Sequence, residues 1–149
     1  MVFIKVAVIG AGLSGLACAW ELKRHGIIPT IFEQRSRVGD VLCSACVNIK
    51  LFSRSIKDPL KSLRKKYGLN LMPLYNINRI VMNSQNKMVN IKGNLGYIIK
   101  RGFEKNSLEN QIASITKLPI VFESHIELKD IKNDYESIVV ATGNNIIAQ

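Results

Sequence analysis

"VAVIGAGLSGLACAW", Val6 to Trp20, holds fifteen residues without a charge and follows Lys5 close to the N-terminus. Two readings compete for it. A cation, an apolar run and the small residues Ala17-Cys18-Ala19 describe an export signal that is cut away. Gly10-x-Gly12-x-x-Gly15 describes a turn that cradles phosphate. The flanks decide. Val2 to Ile9 is apolar apart from Lys5 and rich in β-branched residues, which suits a strand buried on both faces. Leu13 to His25 contains Leu16, Ala17, Ala19, Glu21, Leu22 and Lys23, all good helix formers, and Gly26 stops the helix. Pro29 to Glu33 reads as a second short strand. Strand, glycine turn, helix and strand fill the first 33 residues, the context the glycine motif requires. Export would remove the first strand and the turn, so the stretch is read as a buried strand and a packed helix.

Each glycine has a distinct task in that reading. Gly10 permits the tight turn out of the strand. Gly12 lets backbone approach a pyrophosphate, and Gly15 lets the helix pack close to the sheet. The phosphate then sits on the helix N-terminus, beside Leu13 and Ser14, where free N–H groups and the dipole favour negative charge. Glu33 stands eighteen positions after Gly15. Its carboxylate can accept hydrogen bonds from ribose hydroxyls and would repel a 2′-phosphate, which disfavours NADP. Gln34 follows it at the same strand end.

Further along, residues 34–56 look irregular. Asp58-Pro59 opens a helix that runs to about Tyr67 and ends at Gly68. Leu74 to Met82 and Lys87 to Lys92 have strand character around Asn83-Ser-Gln-Asn86 and read as a hairpin. Gly93-Asn-Leu-Gly96 reads as a breaker, and Tyr97 to Lys100 as a short strand or a bend. Asn106-Ser107 begins a helix with Glu109 placed for a capping box and with Leu108, Ile112 and Ile115 on one face. Pro119 to Phe122 is a strand, His125 to Leu128 reads as another, and Tyr135 to Ala141, "YESIVVA", is a buried strand broken by Thr142-Gly143. The expected fold class is α/β: a Rossmann-like, mostly parallel sheet with a small antiparallel β insertion at about 74–92. The segment Val2–Ile9 is expected at its centre, flanked by Pro29–Glu33 and Tyr135–Ala141. One such domain is expected over residues 1–149.

Composition bounds the partners. The chain has 149 residues, 47% hydrophobic and 21% charged, with a formal net charge of +10. Such a surplus favours nucleic acid, acidic lipid surfaces or phosphate-bearing ligands. The basic residues are dispersed, with Lys61, Arg64, Lys65 and Lys66 the densest group, and no nucleic-acid motif accompanies them. Nucleic acid is therefore not an expected partner. No other apolar run approaches the roughly 20 residues of a membrane helix, and a cytoplasmic chain is expected. Three cysteines are too few for a disulfide framework. Cys43-Ser-Ala-Cys46 has ligand spacing without a second pair, and His25 and His125 are isolated, so no metal is expected.

These residues resemble the FAD-binding part of flavoprotein oxidoreductases of the glutathione-reductase superclass. "EQRSRVG", Glu33 to Gly39, is similar to that family's acidic residue followed by basic residues and glycine. "IVVATG", Ile138 to Gly143, resembles its second flavin fingerprint and would place Ala141, Thr142 and Gly143 beside the cofactor. "GNLGYIIKRG" followed by "SLENQIA" is similar to the geranylgeranyl-reductase-like branch, which implies a place for Arg101 near the flavin or its phosphates. Cys43 falls where that branch carries a cysteine-glycine loop, although this chain has no Gly-Gly pair there. The resemblance implies FAD as cofactor and an FAD-dependent oxidoreductase, with reduction of isoprenoid-type double bonds in full-length relatives. It covers nearly all of this chain but only the N-terminal part of a family member. A fragment is therefore expected, one that self-associates or meets a partner chain along the incomplete side and does not turn over substrate alone. A non-catalytic dinucleotide-binding module and an NAD-binding reductase fragment remain the alternatives.

Overall fold

The computed structural model describes residues 4–40, 44–50 and 56–143. The chain divides into two compact units, Met1–Cys43 with Gly102–Gln149, and Ser44–Arg101.

The first unit is built on four parallel strands, β1 (Val6–Ile9), β2 (Thr30–Phe32), β6 (Ile120–Val121) and β7 (Ser137–Val140), in the order β6-β2-β1-β7. The expected central strand and both of its expected neighbours are in place. All four β1 residues are buried, with Val8 towards helix α1 (Leu13–Arg24), where its Cγ1 lies beside Gly15. On the opposite face Ala7 and Ile9 pack with Ile131, and Phe32, Ile126, Tyr135 and Ile138 close over them. Phe32 and Tyr135 meet edge to face at 6.0 Å, the arrangement favoured by ring quadrupoles.

Helix α1 ends as its sequence demands. Gly26 takes φ 82°, its N–H donates to the Lys23 carbonyl, and the Ile27 N–H donates to Leu22. This paired closure satisfies carbonyls left open by the last turn. Helix α3 (Leu108–Thr116) packs beside α1, and Lys23 Nζ donates to the Thr116 carbonyl at 2.7 Å. Ser107 caps α3, accepting from the Asn110 N–H. The third helical position is therefore Asn110, so Glu109 does not close the expected capping box. Glu109 is buried instead and accepts from the Gly102 N–H at 3.2 Å. The expected strand at His125–Leu128 is also overturned. Glu127 and Asp130 cap each other's backbone and wind the chain into one helical turn, α4 (Leu128–Ile131).

The second unit is a three-stranded antiparallel sheet in the order β3-β5-β4, with helix α2 (Pro59–Tyr67). Its strands are β3 (Ser44–Ile49), β4 (Tyr75–Ser84) and β5 (Lys87–Arg101). β4 and β5 form the expected hairpin, and its two-residue turn is Gln85-Asn86. Two expectations fail here. Residues 44–49, read as irregular, form β3 because they pair with the second half of β5. Gly93-Asn-Leu-Gly96 does not break the chain. It is a bulge within β5: Ile77 pairs with Gly96 and Arg79 with Lys92, so one β4 residue faces three on β5. Gly93 supplies the φ of 149°, and a Cβ on Gly96 would lie 2.1 Å from the Asn48 carbonyl oxygen. Glycine inside a strand here marks a close approach.

Candidate functional site

The β1–α1 turn lies at the carboxyl end of the parallel sheet. Gly10 takes φ 104°, and a Cβ there would stand 2.6 Å from the Ala141 carbonyl oxygen. Its N–H donates to Phe32 at 2.7 Å, while the Ala141 N–H donates to Ile9 at 2.8 Å. The turn is thus held between the ends of β2 and β7. Gly15 is packed more tightly still, since an added Cβ would reach 1.9 Å from the Gly10 carbonyl oxygen. Gly12 differs from both. It is the N-cap of α1 with an ordinary φ of −75°, it offers no side-chain cap, and a Cβ on it would meet nothing within 4 Å. The open space lies where the first-turn N–H groups of a helix present partial positive charge.

Glu33 joins this turn directly. Its Oε2 accepts from the Ala11 N–H at 2.8 Å and its Oε1 from the Arg35 N–H at 3.0 Å. The carboxylate therefore fastens the glycine turn to the end of β2 and retains acceptor capacity, because an ionised carboxyl group offers about four lone-pair sites. Leu13 is half-buried, Ser14 and Gln34 are exposed, and Thr142 and Gly143 follow β7 beside Gly10. The structure thus brings Gly10, Gly12, Leu13, Ser14, Gly15, Glu33, Gln34, Ala141, Thr142 and Gly143 to one end of one sheet. Arg101 is the last residue of β5 and pairs with Ser44 in the other unit.

Sequence reasoning missed the fastening of the "EQRSRVG" segment. Arg37 Nε donates to Asp40 Oδ1 at 2.6 Å, and Arg35 lies 3.5 Å from the same carboxylate. The Arg37 hydrogen bond holds Asp40 below the usual carboxylate range, against the smaller opposing effect of desolvation. Arg37 also lies 4.1 Å over the Phe103 ring, and a Cβ on Gly39 would stand 2.1 Å from the Gly102 carbonyl oxygen. The i,i+3 spacing of Arg37 and Asp40 was the available signal. Cys18 is half-buried in α1 and Cys46 exposed on β3. Cys43 lies outside the described residues. Among the described residues no three His, Cys, Asp or Glu side chains gather as a metal set would, and no helix is long and apolar enough to cross a membrane.

The chain leaves β1 towards β2 and β6 on one side and returns to β7 on the other. Such a reversal of strand order opens a crevice at the carboxyl ends of the strands, where ligands of open α/β sheets bind. The fold is Rossmann-like. Residues 8–80 match the family model described as the NAD(P)-binding Rossmann-like domain. Protoporphyrinogen oxidase 2, chloroplastic/mitochondrial, from Arabidopsis thaliana is 52% identical over 44 residues, which are 30% of this chain and 9% of that protein. A flavin-containing monooxygenase of the same plant is 49% identical over 49 residues, 32% of this chain and 10% of that protein. Among solved structures, 2-methyl-3-hydroxypyridine-5-carboxylic acid oxygenase superposes with a TM-score of 0.57 at 18% identity, over 83% of this chain and 32% of that one. The chain matches only a minor part of the length of each of these relatives.

Proposed function

We propose that this Rossmann-like domain binds FAD and serves as the cofactor-binding part of an FAD-dependent oxidoreductase. One observation carries the reading: the open Gly12 position, the uncapped start of α1, the Glu33 carboxylate and the end of β7 converge at the strand-order reversal. The pyrophosphate would rest against Gly12 and the first-turn N–H groups of Leu13, Ser14 and Gly15. Glu33, already oriented by Ala11 and Arg35, would accept from the adenosine ribose, with Gln34 at its side. Ala141, Thr142 and Gly143 would lie along the middle of the cofactor. When bound, FAD would supply the electron-transfer chemistry, while these residues bind and orient it. The local likeness to a flavin-containing monooxygenase supports flavin over nicotinamide. NAD is the second reading, favoured by the description of the matching family model. Titration of the purified chain with FAD, ADP and NAD, followed by calorimetry, separates the two. NAD binding tighter than FAD would reject the first reading.

The finer reading follows from the middle segment. "GNLGYIIKRG" supports a geranylgeranyl-reductase-like branch that reduces isoprenoid-type double bonds in the whole protein. Arg101 then has a role near the flavin phosphates, and the chain works in the cytoplasm. Assay of a full-length relative carrying the same segment, with an isoprenoid diphosphate and reduced flavin, tests this. Among the described residues no strand pairs with the outer side of β7, and Val140 is exposed, which supports pairing with another chain or a second copy along that edge. Sedimentation velocity over a concentration series tests that pairing, and a monomer throughout would rule out the second copy.

A further inference from the structure

The net positive charge of this chain is confined to one of its two units. Ser44–Arg101 carries twelve Lys and Arg against the single acid Asp58, whereas the other unit carries nine against ten acids. That single acid is engaged: Lys50 Nζ lies 3.1 Å from it, the Tyr97 hydroxyl donates to it at 2.9 Å, and the Lys61 N–H donates to it at the start of α2.

Beyond the bulge, β4 and β5 continue as a two-stranded ribbon, and every residue from 81 to 90 is exposed. The register sets Ile80 opposite Ile91 and Met82 opposite Val89, so one face of the ribbon is aliphatic. Val81 and Met88 are exposed on the other face. Arg79 and Lys92 pair across its base and Lys87 stands at its turn. We propose that this ribbon docks the unit on an anionic lipid surface, with the aliphatic side chains entering the headgroup boundary and the cations pairing with lipid phosphates and carboxylates.

The composition of the ribbon selects this partner. Met82, 51% exposed, and Met88, 69% exposed, are flexible aliphatic chains that gain by leaving water but have nothing to gain against a phosphate backbone. No aromatic residue lies between Arg79 and Lys92, so the ribbon has no ring on which to stack a base. Shallow entry suits a β-ribbon. At the headgroup level water still reaches its unpaired edge groups, whereas the hydrocarbon core would leave them unsatisfied. Apolar burial and attraction to acidic lipid then act together, as they do for amphipathic helices. The inference does not depend on which cofactor the other unit binds.

Sedimentation of the whole chain with vesicles tests this. The chain should pellet with equimolar phosphatidylcholine and phosphatidylserine, remain in solution with phosphatidylcholine alone, and leave the lipid as salt is raised. Lys87→Glu with Lys92→Glu should lower partitioning by at least about tenfold, given the attraction of each cation to an acidic surface. Met82→Ser with Met88→Ser changes no charge and should also weaken it severalfold, with the fold checked by circular dichroism. A Met82→Trp variant, on the aliphatic face, should shift its emission to the blue on the acidic vesicles. Failure to pellet, undiminished pelleting of the serine variant, an unshifted tryptophan, or release of the chain by duplex DNA at equal phosphate concentration would each overturn the proposal.

Discussion

Three glycines in one turn differ in what they tolerate, and substitution separates their tasks. Gly15→Ala drives a methyl group to 1.9 Å from the Gly10 carbonyl oxygen, where neither backbone can yield cheaply. A loss of at least about 1–3 kcal/mol is expected, the scale of overpacked interiors, and urea denaturation measures it. Gly12→Val meets nothing within 4 Å. Its melting temperature should barely move while dinucleotide binding is abolished, because the side chain would take the space proposed for the pyrophosphate. Unchanged ADP affinity in Gly12→Val would place the ligand elsewhere. Glu33→Gln leaves one carbonyl oxygen for the two N–H groups of Ala11 and Arg35. It should cost about 1–2 kcal/mol, since bonds to a charged acceptor are the stronger ones, and equilibrium unfolding reads that loss.

At the scale of elements, legibility followed local signals. β1, α1 and α2 were visible because each carries its own instructions: an uninterrupted apolar run, a stopping glycine, an Asp-Pro start. β3 was not, because the residues of Ser44–Ile49 become a strand only by pairing with a partner about fifty positions away. The bulge in β5 was misread for a related reason. Glycine at 93 and 96 signals a break locally, and only the neighbouring Asn48 carbonyl shows it to be a close approach. Glu109 looked like a cap by type, yet the count of helical positions gives that place to Asn110. The glycine turn, Glu33 and Ala141-Thr142 were all readable, whereas the Arg37–Asp40 link was hidden in a stretch that looked irregular.

The start of α2 allows a test in acid. Burial opposes ionisation of Asp58, but the Lys61 N–H, the Tyr97 hydroxyl and Lys50 together outweigh it and hold its carboxyl below the usual range. The group therefore contributes stability that is fully present above the pKa of an unfolded Asp, about 3.9, and is lost as pH falls through the lower folded value. Lys50 is shifted upward: burial works against it, and Tyr97 and Asp58 prevail. Its contribution persists below the ordinary lysine range and fades only as pH rises through the higher folded value. Protection of the α2 amides, measured against their intrinsic exchange rates, should fall below about pH 4. Asp58→Asn keeps a capping oxygen but not the charge, so it should flatten that acid dependence. An equally steep dependence in the variant would assign the acid sensitivity to another group.

For the whole molecule, the residues gathered at the sheet end are proposed to hold the adenosine and pyrophosphate portions of a dinucleotide more fully than its ring. ADP should therefore bind nearly as well as FAD, as calorimetry can show. Affinity for FAD a hundredfold above ADP would mean that further residues of this chain hold the ring. Placement of the antiparallel unit has a separate consequence. It begins at Ser44 and ends at Arg101, and these two residues are directly paired across neighbouring strands, so their backbones stand only about 5 Å apart. Seen from the parallel sheet, the whole excursion closes like a single tight loop. A segment joined in this way can be exchanged by recombination as a cassette, grown or trimmed in one lineage without re-threading the rest of the chain. A gene with a short turn spliced in place of Ser44–Arg101 should still encode a chain that makes the glycine turn.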